Sequence, residues 1–223
     1  MKKILTIVVV LACALSLFAC GGGPAVENVN KMYSVSSPLK VETTSKQVVG
    51  GRELNSSSTL TVGKIDGKDA TIYESSYEEF EDIETNADNP IKTVTERWEY
   101  LEGMGTRVGK GAWDAEGKNF APTPGSIAIK LTNNTVTDSK LVDNVFTCTV
   151  KAENTAAVFG EDRAIGADVA VTITTNGAVV TGITLSYTIP AQAATDTAAA
   201  TPEVVVTITT KYSYSYEPIT LGK

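Results

Sequence analysis

The chain of 223 residues has no histidine and only three cysteines, Cys13, Cys20 and Cys148. Without His, neither a Ser-His-Asp nor a Cys-His catalytic arrangement can be assembled, nor any imidazole-ligated metal site. A single cysteine beyond residue 20 supplies neither a thiolate zinc site nor an internal disulfide in the remainder of the chain. Phosphate-cradling loops are missing as well: "GMGTRVGKG", Gly103 to Gly111, has its third Gly one place late for a dinucleotide fingerprint and lacks Ser or Thr after Lys110. It reads as a turn between strands. There is no basic stripe, and the formal charge of −7 argues against a nucleic-acid partner. These absences point away from an enzyme and away from any cofactor or metal.

Long apolar runs are also scarce, with one exception at the N-terminus. Lys2 and Lys3 precede an apolar stretch from Ile4 to Phe18 that only Thr6 and Ser16 interrupt. This has the layout of an export signal. It falls short of the roughly 20 residues that a membrane-spanning helix needs, and the Gly-Gly-Gly-Pro after Cys20 ends it. "LFAC", Leu17 to Cys20, resembles the bacterial lipoprotein box, in which an aliphatic, a loosely restricted and a small residue precede a cysteine that becomes lipid-modified. "VLAC", Val10 to Cys13, fits the same four-residue pattern. The residues C-terminal to each cysteine separate the two: cleavage before Cys13 leaves the apolar tail "CALSLFAC", and cleavage before Cys20 leaves the polar "CGGGPAVENVN". Cys20 is therefore the expected lipidation site, its thiol taking a diacylglyceryl group as a thioether. Two or three acyl chains, as in palmitate-type modification, anchor stably where one is marginal. The implied organisation is a signal peptide over 1–19, a lipidated N-terminus with a flexible tether over 20–38, and one domain over 39–223. Removing 1–19 with its two lysines takes the formal charge to −9.

Beyond residue 39 the dominant signal is period-two alternation. Strands are expected over 41–49, 58–65, 91–101, 106–113, 126–131, 140–150, 168–175, 178–189 and 203–216. The segment "IYESSYEEFEDI", 72–83, is ambiguous between helix and strand and is assigned to strand. "NTAAVFGE" predicts one short helix with Asn154 as N-cap and Gly160 near its end. "AQAATDTAAATP", 191–202, reads as a loop. Cys148 shares a strand face with Phe146 and Val150 and is expected to be a buried small hydrophobe. The acidic run Glu78, Glu79, Glu81, Asp82, Glu84 lacks the spaced Asp and Gly of a calcium loop and reads as solvated surface.

The fold class implied by this pattern is mostly β: a curved antiparallel sheet or half-barrel with one short helix. Alternation places Val204, Val206, Ile208, Tyr212, Tyr214 and Tyr216 on one face of the last strand, and Trp98 with Tyr100 on one face of an earlier one. Trp98, Tyr100, Trp113, Tyr212 and Tyr214 are the candidate ligand-binding residues, since aromatics line pockets as well as cores. From Cys148 onward, the order strand, short helix ending in "VFGED", strand, tight turn, strand and a Tyr-rich last strand closing in "SYEPITL" resembles the LolA and LppX type half-barrel lipoproteins. That resemblance implies a curved sheet holding lipid acyl chains. The functional expectation is an extracytoplasmic lipoprotein on the cell membrane, binding a lipid or other hydrophobic ligand in the concave face. The alternative is a cell-surface structural or protein-interaction module with no small ligand. One register decides whether the sheet is one-sided: a three-residue loop Thr175-Asn176-Gly177, with Gly177 left-handed, is expected because it brings Val169, Val171, Ile173, Ile183 and Leu185 to one face, whereas a two-residue Asn176-Gly177 loop does so only if a bulge at Thr181-Gly182 restores the phase.

Overall fold

The computed structural model describes residues 23–33, 37–81, 90–116, 129, 131–161, 164–194 and 200–222. Cys20, the expected signal peptide and the strand expected over 126–131, apart from Ile129 and Leu131, lie outside these residues. The fold is a ten-stranded antiparallel sheet, curved and unclosed, in the order β5-β4-β3-β2-β1-β10-β9-β8-β7-β6. The strands are β1 (Lys40–Val49), β2 (Arg52–Ile65), β3 (Lys68–Phe80), β4 (Ile91–Leu101), β5 (Gly105–Val108), β6 (Val136–Val142), β7 (Val145–Val150), β8 (Val169–Thr175), β9 (Val180–Ile189) and β10 (Val204–Ser213). The order is a meander except at one place, where β1 pairs with β10 and so joins the first five strands to the last five.

Tight turns set most of this connectivity. Asp66 and Gly67, at φ 51° and 79°, close a two-residue loop between Ile65 and Lys68. Both central residues of such a loop need positive φ, which Gly adopts freely and Asp tolerates. Asp143 and Asn144, at φ 48° and 66°, make the same turn without glycine. That turn divides the single strand expected over 140–150 into β6 and β7. The ambiguous 72–83 segment is strand as far as Phe80, because Tyr73 and Tyr77 face Trp98 and Val94 across β4. The strand expected over 106–113 stops at Val108.

The hydrophobic core lies over β6–β10. Val169, Val171 and Ile173 of β8, Phe146, Cys148 and Val150 of β7, and Ile183 of β9 are all buried on one face. The helix α1 (Gly23–Tyr33) covers them, with Val26 and Val29 buried against this cluster and Asn30 Nδ2 donating to Leu131 O at 2.8 Å. Residues 23–33, within the span expected to be a flexible tether, are thus a packed helix. Val26, Val29, Met32 and Tyr33 recur at helical spacing, and burying Val26 and Val29 stabilises the helix by about 1.5 kcal/mol or more each. The short helix α2 (Thr155–Phe159) forms where expected and ends at Gly160, φ 109°. Asn154 makes no side-chain cap bond; instead the buried Thr155 hydroxyl donates to Ile165 O and accepts from Ile165 N at 2.7 and 2.9 Å.

The loop between β8 and β9 differs from the expected one. Thr175 pairs with Val180 across the four residues Asn176–Val179, and a bulge at Thr181 comes before Thr174 pairs with Gly182. Gly177 is left-handed, φ 87°, and the Asn176 side chain accepts from the N–H groups of Ala178 and Val179, both at 3.0 Å. The bulge adds the one residue that restores the phase. Ile173 therefore faces Ile183 and Val171 faces Leu185, so the one-sided face survives a loop of different length.

Candidate functional site

Cross-strand partners in an antiparallel sheet lie on the same face. Tracing the registers from Tyr212 gives Val41, Leu60, Tyr73, Trp98 and Val108 in one line across β10, β1, β2, β3, β4 and β5. The line begins at the helix-covered core, where Tyr212 packs against the buried cluster. It ends in the open, with Trp98 39% and Val108 52% exposed. Six strands at about 4.8 Å spacing make it about 24 Å long. Tyr100 stands beside it on the same face, opposite Thr71 and Thr106.

The inner end of the line packs against the core. Burial pushes the Tyr212 phenol up to about 12, with nearby Tyr214 adding to the effect, and burial alone pushes the Cys148 thiol up to about 12. Cys148 is thus the inert small hydrophobe that its strand position predicts. Tyr33, at the end of α1, is raised further, by burial first and then by Tyr212, Cys148 and Tyr214. Its hydroxyl is buried, and among the described residues it has no hydrogen-bond partner. Tyr214, past the end of β10, donates to Val180 O at 2.7 Å.

Trp113 is elsewhere. Its ring lies under the Arg107 guanidinium, 4.6 Å from Cζ to the ring centroid, and Arg107 Nε donates to Glu99 Oε2 at 2.6 Å. Glu99 neighbours Trp98 in β4, so its side chain points to the opposite face. Trp113 therefore does not join the line, contrary to the sequence expectation that grouped the two tryptophans.

The opposite face carries a charge cluster that the sequence did not signal. The Glu99 carboxylate is 0% exposed and accepts from Arg97 Nε at 2.7 Å, from Arg107 and from Gly222 N at 2.7 Å. Burial pushes its pKa up, but the Gly222 N–H and the two guanidinium groups outweigh it and hold the carboxyl below the ordinary range. The chain after β10 reaches this cluster by crossing the sheet end. The Tyr216 hydroxyl accepts from Lys64 N and donates to Lys64 O at 2.8 and 3.0 Å, Ile219 lies against Gly63, and Thr220 O accepts from Arg97. Ala70, Ile72 and Leu101 are buried in the same region.

Two open grooves, of about 430 and 530 Å³, are lined mostly by hydroxyl and charged groups such as Ser57, Ser76, Glu74, Glu78 and Lys46. None of the five aromatic candidates lines either groove. Glu78 accepts from Asn55, and Glu79 pairs with Lys92 at 3.1 Å, so these acidic residues serve cross-strand pairing. Among the described residues no group of His, Cys, Asp or Glu is arranged to hold a metal ion, and no helix is long and apolar enough to cross a membrane.

Of the aromatic candidates named from the sequence, Trp98, Tyr100 and Tyr212 share the face of the Tyr212 to Val108 line, and Val41, Leu60, Tyr73 and Tyr33 are not among those candidates. The first three of these become neighbours only through register. Tyr33 was legible from the helical spacing of Val26, Val29 and Met32.

No protein-family model matches the chain, and no curated protein matches it. Among solved structures it is similar to LprF from Mycobacterium bovis, at 10% identity and a TM-score of 0.38, over 91% of this chain and 98% of that one. It is also similar to a DUF1329 family protein from Desulfovibrio piger ATCC 29098, at 7% identity and a TM-score of 0.24, over 86% and 93% of the two chains. Likeness at this level adds nothing to the reading of the site.

Proposed function

We propose that this chain is an extracytoplasmic lipoprotein, anchored to the cell membrane through Cys20, that holds a lipid or other hydrophobic molecule against the apolar face of its open sheet. The observation that carries the binding half of this reading is the line from Tyr212 to Val108. An unbroken apolar row that leaves a packed core and ends at an exposed Trp98 is the arrangement expected of a surface that receives an apolar guest. Its length exceeds the thickness of one bilayer leaflet, about 15 Å, so an extended acyl chain fits along it. Hydroxyls of Tyr73 and Tyr100 stand along the same face and supply polar contacts for a head group. The anchoring half rests on the lipobox alone. The function is binding rather than catalysis.

Native mass spectrometry of the detergent-extracted mature protein, with organic extraction afterwards, tests the binding half. A discrete lipid or hydrophobe at one copy per chain, beyond the mass of the N-terminal modification, is the expected result. Repeated absence of any guest overturns it in favour of a surface interaction module.

A further inference from the structure

The outer edge of β4 is the longest unpaired backbone among the described residues at the β5 end of the sheet. β4 runs Ile91–Leu101, but β5 pairs only with Trp98–Leu101, and the turn after β5 reaches back as far as Arg97, where Gly109 N donates to Arg97 O at 2.7 Å. That bond shows which way the strand's polar groups point. In an antiparallel strand the N–H and C=O of one residue point to the same side, and the sides alternate. Arg97 points outward, so Ile91, Thr93 and Thr95 do too, and Lys92, Val94 and Glu96 bond to β3. The Glu81 N to Pro90 O bond, 2.9 Å, agrees with this phase. Ile91, Lys92, Thr93, Thr95 and Glu96 are all exposed.

Open edges pair with other strands unless something blunts them. Here the side chains are self-complementary about Val94. A second copy laid antiparallel with the twofold axis at Val94 sets Thr93 against Thr95 of the other copy, the outward-pointing residues meeting as hydrogen-bonded pairs on both sides of the axis. It sets Lys92 against Glu96 and Val94 against itself, as the closer non-hydrogen-bonded pairs. Moving the axis to Lys92 opposes two lysines, and moving it to Thr93 or Thr95 loses the Lys92 to Glu96 match. We propose that this edge is a homodimer interface, in which two sheets join through residues 92–96 of β4 with Val94 on the dyad. The proposal stands apart from lipid binding and from anchoring. A pairing of five residues buries less than the roughly 1,000 Å² of a durable interface, so the dimer is weak and reversible.

Cross-linking captures such a contact. At a non-hydrogen-bonded pair the Cα atoms are about 4.5 Å apart, within the about 4.4–6.8 Å that a disulfide spans. The full-length chain carrying Val94→Cys, processed in its own membrane and treated with a mild oxidant, is expected to form covalent dimers at least about tenfold faster than a chain carrying Thr188→Cys, an exposed position near the end of β9. In the Val94→Cys background, Lys92→Glu alone or Glu96→Lys alone is expected to slow the reaction about tenfold, because two attractive pairs become repulsive, and the two changes together to restore it. The restored double variant separates lost pairing from lost folding, since it contains both single changes. Cross-linking of Val94→Cys at the Thr188→Cys rate, or a double variant no faster than the singles, overturns the proposal.

Discussion

The backbone N–H of Gly222 donates to Glu99 Oε1 at 2.7 Å, across 123 positions of sequence. That bond, with two arginines, lets a carboxylate sit fully buried beside β4, and it ties the last residues of the chain to the half of the sheet that α1 does not cover. Removing one partner from such a cluster leaves uncompensated charge behind. Glu99→Ala is therefore expected to destabilise the protein by about 3 kcal/mol, read as a lower urea midpoint. The pH dependence has a definite sign. Glu99 titrates below its ordinary value of 4.5, so its contribution is present above about pH 4.5 and is lost as pH falls through the lower, folded-state value. The stability gap between the native chain and Glu99→Gln should be constant near neutrality and close on acidification. A gap that widens as pH falls contradicts this.

Gly63 and Ile219 form a second tie between the same segments. A Cβ at Gly63 would sit 2.8 Å from Ile219 Cδ1, closer than carbon atoms pack. Gly63→Ala should lower stability by about 1 kcal/mol. Gly63→Ala with Ile219→Ala should cost less than the two single changes added together, because the collision is gone. Additive effects in thermal unfolding would mean that the two residues do not meet.

Lipidation at Cys20 makes a prediction independent of the fold. Cys20→Ala should leave the precursor unprocessed or release the protein to the soluble fraction, whereas Cys13→Ala should change neither, because Cys13 falls in the segment removed. Fractionation with mass spectrometry of the N-terminal peptide reads both. A processed Cys20→Ala chain that stays in the membrane fraction refutes the assignment.

The two tryptophans should behave differently. Trp98→Ser, at the exposed end of the apolar line, is expected to reduce retention of a bound hydrophobe severalfold with little change in the unfolding midpoint. Trp113→Leu should leave retention intact and lose the contact with Arg107, a destabilisation of about 0.5–1 kcal/mol. Equal effects of the two changes on retention would remove the line as the binding surface.

The sequence by itself determined the strand character of most of the chain and the hairpin at Asp66-Gly67, because alternation and positive-φ turns are local steric properties that neighbouring residues impose. It also determined that Val206, Ile208 and Tyr212 share a face, since a strand has no other way to orient them. Tertiary structure decided what local sterics leave free. Whether a loop of three or four residues connects β8 to β9 depends on which arrangement lets Ile183 and Leu185 bury against Val171 and Ile173, and a bulge at Thr181 satisfies that burial as well as a shorter loop would. Residues 23–33 become a helix because a packed sheet face is available to receive Val26 and Val29; a segment of this length is marginal alone. Trp98 and Trp113 part company, and Glu99 goes inside, because a chain returning from more than a hundred residues away supplies the N–H that a buried carboxylate requires. That partnership has no trace in the residues around Glu99.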